Sequence, residues 1–309
     1  MKKIIVLFGA GVNGKLILNK VKDKFPDEEV CFCDNDVKKQ NTMTQGVKVI
    51  EFCELLKLYK ENLIDKIIIT PCNGQEMLYQ CVSEGIDIRH CHFWDNKHEF
   101  PKVILEKYIS SICSQDGEEI FLRDYFFKKA KGIYVDVGAN HPFRFSNTFW
   151  AYAEGWRGIN IEPDVFNYKL LKEVRPEDIN INCGISDVET YMDYYVFKEN
   201  ALNTFCRDEI RNESDIVDIR KVPVRRMDSI LKEYRIFNID FMDIDVEGME
   251  LKVLNSINWD DVKIECILVE QRRMSLAEVL ESNVCKFLKD KGYVPVNKYN
   301  RTVIYINAG

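Results

Sequence analysis

No apolar run in this chain is long enough to cross a bilayer. The N-terminal stretch MKKIIVLFGAGVNG imitates a leader, but its apolar part is short, is interrupted by Gly9 and Gly11, and lacks a small-residue cleavage pattern. It therefore reads as a strand and turn. An excess of basic charge is also missing: the net charge of −7 argues against a nucleic-acid partner held by counterion release. The eleven cysteines show no paired CxxC spacing and are odd in number, which points to reduced thiols rather than a disulfide framework. Low-complexity tracts and internal repeats are absent, so no long flexible linker is expected. Together these absences predict a cytoplasmic protein without membrane insertion. The oligomeric state stays open, homo-oligomers included.

What is present is a soluble globular composition, 46% hydrophobic and 30% charged, over 309 residues, enough for about two domains. Lys2–Phe8 read as a strand, and Gly9-Ala10-Gly11-Val12-Asn13-Gly14 fits GxGxxG ahead of a helical pattern over Lys15–Lys24. Val30–Cys33 form a second strand that ends at Asp34, about twenty residues beyond the last glycine, where a dinucleotide site carries its ribose acid. This βαβ fingerprint supports a nucleotide-binding domain, or a Rossmann-like module whose glycines serve helix packing alone. Strands at Val47–Ile50, Lys66–Thr70 and Ile86–Trp94, with helices at Phe52–Tyr59 and Gly74–Glu84, complete a small doubly wound domain over residues 1–95. It resembles N-terminal modules fused to sugar-modifying enzymes of bacterial surface-polysaccharide pathways. His90, His92 and His98 lack a second ligand cluster at zinc spacing, so no metal is expected there.

Residues 96–131 read as a helical connection, with Tyr108, Ile112, Phe121, Tyr125 and Phe126 among the packing side chains expected to join the domains. The most informative stretch follows, Gly132 to Glu162. Its first strand, Ile133-Tyr134-Val135, ends in Asp136-Val137-Gly138-Ala139-Asn140, and its second, Gly158–Ile161, ends in Glu162. An acid at that second tip is placed to accept both hydroxyls of a ribose, so an adenosine derivative is the expected ligand. Further strands are expected near 179–183, 239–245 and 264–270, and Tyr293–Tyr299 with Thr302–Ile306 alternates as a hairpin around Asn300-Arg301. Tyr191–Val224 breaks the alternation and reads as an inserted hairpin or loop over the site. Asp243, Asp245 and Glu247, with Glu250 beyond and Glu270-Gln271 on the next strand, converge at one sheet edge. Such carboxylates repel unless a proton, a cation or a basic substrate compensates.

The runs YVDVGAN, SNT, GWRGINIEP, DIDVEGMELKVL and ILVEQ, in this order over the last three-fifths of the chain, resemble the FkbM family of class I S-adenosylmethionine-dependent methyltransferases. With the small doubly wound first domain, which lies outside the resemblance, this gives an α/β fold of two doubly wound domains. The second, over residues 132–309, has a mostly parallel seven-stranded sheet ending in an antiparallel hairpin. The resemblance implies S-adenosylmethionine as cofactor. Asp136, Gly138 and Asn140, with Ser146, Asn147 and Thr148, would face its amino-acid portion, Glu162 its ribose, and Ser186 and Asp187 its adenine. Asp245, Glu247, Glu270 or His141 would take the proton of a substrate hydroxyl. In a second route Asp245 and Glu270, with Gln271, hold magnesium or manganese; the metal-free route is preferred because Gln271 is a weaker ligand than an acid. The expected activity is O-methylation of a sugar or nucleotide-linked sugar in bacterial surface-polysaccharide biosynthesis. The alternative is a nucleotide- or nucleotide-sugar-binding protein, or an NAD-dependent enzyme, that works through the first domain and keeps a degenerate methyltransferase scaffold.

Overall fold

A computed structural model of the chain describes residues 3–71, 75–95, 100–103, 112–197, 200–210 and 212–308. The chain divides into two compact units, Met1–Ser111 and Ile112–Gly309.

The first unit is one seven-stranded sheet. Its strands are β1 (Ile4–Phe8), β2 (Glu29–Cys33), β3 (Met43–Thr44), β4 (Val47–Ile50), β5 (Ile64–Ile69), β6 (Cys91–Asp95) and β7 (Phe100–Val103), in the order β3-β4-β2-β1-β5-β6-β7. Strands β4 to β6 of that order run parallel, and β3 and β7 close the edges antiparallel. Central β1 is apolar throughout because it lies in the middle of the sheet with both faces covered. At the glycine motif the helix packs closely on the turn: a Cβ at Gly14 would lie 2.1 Å from the Gly9 carbonyl oxygen. Asp34 is engaged within the fold, its carboxylate accepting from the Ala10 N–H at 2.8 Å, the Asp36 N–H at 2.9 Å and Lys39 Nζ at 3.1 Å. The strand expected over Ile86–Trp94 begins only at Cys91, because Asp87 accepts from the Arg89 N–H and starts a 3₁₀ turn over Ile88–His90. His98 lies outside the described residues, as do Ile104 and Tyr108.

The expected helical connection over 96–131 is divided. Phe100–Val103 is a strand of the first sheet, and helix Glu118–Tyr125 belongs to the second unit, where Leu122 and Phe126 are buried against Tyr134, Trp150, Trp156 and Phe241. Ile112 and Ile120 are exposed instead of packed.

The second unit carries β8 (Ile133–Val137), β9 (Arg157–Ile161), β10 (Ile179–Ile181), β11 (Gly184–Ile185), β12 (Thr190–Phe197), β13 (Ile216–Arg225), β14 (Asn238–Ile244), β15 (Lys263–Glu270), β16 (Tyr293–Lys298) and β17 (Thr302–Asn307). The main sheet runs β10-β9-β8-β14-β15-β17-β16, parallel up to β15 and closed by the antiparallel β16–β17 hairpin. Strands β11, β13 and β12 form a separate three-stranded sheet, the insert foreseen between Tyr191 and Val224. Alternation along the central strands separates two apolar layers. Val135, Val137, Met242, Ile244, Ile267 and Val269 face one, and Tyr134, Phe241, Cys266, Leu268 and Ile304 the other. The second face turns polar toward the strand ends: two residues beyond Tyr134, Phe241 and Leu268 come Asp136, Asp243 and Glu270. Period-two geometry therefore puts these acids on one side of the sheet's C-terminal edge. No described helix is long and apolar enough to cross a membrane.

Candidate functional site

A cavity of about 790 Å³ opens at that C-terminal edge, where open α/β sheets bind ligands. The ends of β8, β9 and β14, residues 183–185, the insert around 201–205, Arg272, Arg273 and the Asn300-Arg301 turn line it. Among the described residues of the second unit, five non-glycine residues have positive φ: Asn140, Phe145, Arg235, Glu247 and Arg273. Arg235 ends helix Met227–Tyr234 as a left-handed cap. The other four line the cavity. Backbone conformations of this kind cost about 1–3 kcal/mol each and gather at ligand sites.

At the β8 tip, Gly138 has φ +87°, and a Cβ there would lie 1.9 Å from the Asp245 carbonyl oxygen. Glycine is required by the approach of the β8 and β14 ends. Glu162, buried at the β9 tip, accepts the Asn140 N–H at 2.6 Å on one oxygen and the Asp164 N–H at 2.7 Å on the other. Burial pushes its carboxyl up to about 8, with the Asp164 and Asp136 charges adding to the rise and these two N–H groups opposing it. Each oxygen keeps a lone pair for a further donor. Asn140 is held in its left-handed conformation by Asn167, whose Nδ2 donates to its Oδ1 at 2.8 Å.

Asp136 and Asp243 are direct neighbours in the β8–β14 register. Burial raises both carboxyls; the Asp136 and Asp245 charges raise Asp243 further, and the Asp245 and Asp178 charges raise Asp136. Thr148 Oγ1 donates to Asp136, and Asn147 Nδ2 donates to Asp243 at 3.0 Å. The Oδ1 of Asn147 is buried with no partner among the described residues.

Asp245, Glu247 and Glu270 offer oxygens within 4.8 Å of one another. Arg272 forms ion pairs with both Glu247 and Glu270 and supplies the cation that this convergence demands. Burial is the main cause that raises both Asp245 and Glu270, and a hydrogen bond between the two lowers Asp245 while raising Glu270. The two carboxyls therefore form a coupled pair beside Arg272. Asp245 is exposed to the cavity, although it lies deep at the sheet edge. Gln271 points elsewhere: its amide donates to Ser282 Oγ at 3.2 Å and accepts from the Tyr305 hydroxyl at 2.9 Å. Beyond the strand end, Glu250 is pushed up to about 7 by burial, and its carboxylate accepts the Gly248 N–H at 2.9 Å.

His141, Thr148, Ser186 and Asp187, all expected at the site, lie off the cavity wall. His141 does not line the cavity; its Nδ1 accepts from the Phe143 and Arg144 N–H groups at 3.3 and 3.1 Å. Burial, followed by the Arg144 and Arg175 charges, pushes it down to about 3, which favours the neutral ring. Ser186 and Asp187 are displaced from the wall because the chain leaves the main sheet after β10 and pairs with β13. The Ser186 N–H donates to the Arg225 carbonyl at 2.9 Å, and Cys183, Gly184 and Ile185 face the cavity instead. Thr148 sits behind the wall formed by Ser146 and Asn147.

Three residues were missed. Arg175 is fully buried, and its guanidinium donates to Thr148 Oγ1 and Ser146 Oγ at 2.8 Å, to Asn160 Oδ1 at 3.3 Å and to the Pro142 carbonyl. It pins the Ser146–Thr148 turn and pulls the Asp136 carboxyl down against the desolvation that raises it. As the residue after a helix and before a proline, it carries no local signal of burial. Arg272 did carry one, since period two places it on the side of Glu270. Tyr194, buried on the cavity wall 4.6 Å from the Phe205 ring centroid, lies in the insert, where the sequence offers no partner to register against.

Residues 136–295 match the methyltransferase FkbM domain. No curated protein matches the chain. Among solved structures, the chain is similar to methyltransferase FkbM from Methylobacillus flagellatus KT at 13% identity, over 98% of this chain and 90% of that one, with a TM-score of 0.36. A precorrin-6y C5,15-methyltransferase from Geobacter metallireducens GS-15 is 14% identical over 60% of this chain and 87% of its own, TM-score 0.29. UDP-D-quinovosamine 4-dehydrogenase from Vibrio fischeri is 24% identical over 32% of this chain and 83% of its own, TM-score 0.25. These scores are low, and the family assignment rests on the domain match alone.

Proposed function

Because the chain belongs to the FkbM methyltransferase family, we propose that it is an S-adenosylmethionine-dependent O-methyltransferase acting on a sugar or nucleotide-linked sugar, in bacterial surface-polysaccharide biosynthesis. The observation that carries this reading is one cavity lined by both Glu162 and the cavity-facing Asp245. The residues fit the donor. Glu162 retains acceptor capacity for two ribose hydroxyls, and the unpartnered Asn147 Oδ1 suits an ammonium. Cys183, Ile185, Tyr194 and Phe205 supply apolar surface for an adenine.

When bound, S-adenosylmethionine supplies an electrophilic methyl group that needs little further activation. The protein's work is therefore positioning and the removal of one proton. Asp245, hydrogen-bonded to Glu270 and with the Arg272 charge favouring its ionised form, accepts the hydroxyl proton as the oxygen attacks. The two carboxyls titrate as a pair. Arg272 balances Glu247 and Glu270, which removes the need for a divalent ion, and the engagement of Gln271 with Ser282 and Tyr305 leaves it no role as a ligand. Acids and amides on the cavity wall, Gln115, Glu209, Asp215 and Asn300 among them, suit a hydroxyl-rich acceptor. Titration calorimetry with S-adenosylmethionine and S-adenosylhomocysteine tests the reading, followed by mass spectrometry of methyl transfer to nucleotide sugars. A folded sample that binds neither donor ligand refutes it.

A further inference from the structure

The edge of the second sheet presents its strands in the order β10, β9, β8, β14, β15, then the β16–β17 hairpin. The donor end proposed above takes the first three positions, which confines an acceptor to the ends of β14 and β15 and to the hairpin turn. Carboxylates are only half of what stands there. Arg272, Arg273 and Arg301 line the same part of the cavity. Arg272 is shared between Glu247 and Glu270, and Arg301 is paired with Asp116 at 3.2 Å. Arg273 is different. It is exposed at the cavity wall in the left-handed conformation, at φ +57°, and no carboxylate among the described residues forms an ion pair with it.

A guanidinium without a carboxylate partner, held at a cost in backbone conformation on a ligand cavity, is arranged for a ligand's anion. The fork of N–H donors matches a carboxylate or a phosphate, and a neutral sugar would leave it with water. The arrangement also answers an objection, because an anion brought near Asp245 would be repelled by that carboxylate. Arg272 and Arg301 both pull the Asp245 carboxyl downward, so positive charge already offsets that carboxylate. We propose that the acceptor carries an anionic group, a phosphate or a carboxylate, and that Arg273, beside Arg301, is the residue that holds it. The inference rests on the donor-end reading of the cavity given above.

The test uses the full chain saturated with S-adenosylhomocysteine, whose own binding is measured first. Glucose 1-phosphate, methyl glucuronide and neutral methyl glucoside are then titrated by calorimetry into wild type, Arg273→Gln and Arg273→Lys at one ionic strength. In wild type, at least one of the two anionic probes binds about tenfold or more tighter than methyl glucoside, and which one does so identifies phosphate or carboxylate as the group. Arg273→Gln removes that preference and changes methyl glucoside binding less than about twofold, and Arg273→Lys restores part of it. The proposal is overturned by equal binding of all three probes, by binding of none, or by an anion preference that survives in Arg273→Gln. Failure to bind S-adenosylhomocysteine is a separate result that defeats the donor reading and this inference with it.

Discussion

Glu162 offers the sharpest test of the donor end, because its two oxygens are half committed to the fold and half open to a ligand. Its carboxyl, pushed up to about 8 by burial, is mostly neutral at pH 7 in the free protein. Two ribose hydroxyls donating into it would favour the ionised form, so donor binding must release a proton at any pH below that value. S-adenosylhomocysteine affinity is therefore expected to weaken roughly tenfold at pH 7 and roughly a hundredfold at pH 6 relative to pH 9. Glu162→Gln turns one acceptor into a donor facing either the Asn140 or the Asp164 N–H and removes one ribose contact. It should cost about 1.5–3 kcal/mol of donor binding at pH 9, where wild type is ionised, and abolish the pH dependence. Stability runs the opposite way. A raised folded-state value means that this group contributes most below its ordinary value of 4.5, and that its contribution is lost as pH rises through about 8. The apoprotein should lose melting temperature across that window more steeply than Glu162→Gln does. Calorimetry in two buffers of different ionisation enthalpy reads the proton directly. A pH-independent affinity between pH 6 and 8, with no buffer-dependent heat, would refute the argument.

Asp245→Asn and Glu270→Gln are each expected to lower kcat by about two to four orders of magnitude while leaving donor affinity within a few-fold, as single-turnover kinetics and calorimetry will show. Near-normal kcat in both variants excludes the pair as the proton acceptor. EDTA should leave wild-type activity intact, because Arg272 already bridges Glu247 and Glu270. Loss of activity restored by magnesium or manganese would reverse that conclusion. Arg175→Met should destabilise the second unit by about 3–5 kcal/mol in urea unfolding, since it leaves Asp136 and Asp178 without the guanidinium that offsets their burial. A loss below about 1 kcal/mol would show that the charge is dispensable.

The parts of this fold that could be read from sequence are those with a short-range code. Apolar runs ending in an acid and a glycine mark β8 and β9, and period two along β14 and β15 was enough to bring Asp243, Asp245 and Glu270 to one edge. The acids' compensation was harder to see. Chemical need pointed to a proton, a cation or a basic substrate, and the cation present is the arginine two residues beyond Glu270. The misread residues share a different cause. Ser186 and Asp187 depend on where β10 stops and the insert begins, a boundary set by pairing with Arg225 some forty residues away. His141 looked like an available base because histidine titrates near neutrality. In the folded chain its acceptor nitrogen is taken by two N–H groups that follow it immediately.

Arg175 shows why the remainder was illegible. Its partners, Pro142, Ser146, Thr148 and Asn160, lie 15 to 33 residues away and become neighbours only once β8 and β9 are paired. The same pairing sets Asp136 beside Asn160, and Asp178 donates no proton but accepts from Asn160, Tyr134 and the Gly158 N–H. Burying these acids is unfavourable one at a time, and the guanidinium makes the group tolerable as a whole. The turn that would cradle the donor's amino-acid portion is fastened to that guanidinium, so the charge that keeps the sheet edge folded also fixes Ser146 and Asn147. Substitutions at Arg175 should therefore weaken donor binding even in variants that remain folded, and the loss should follow the displacement of the Ser146–Thr148 turn rather than the change in stability.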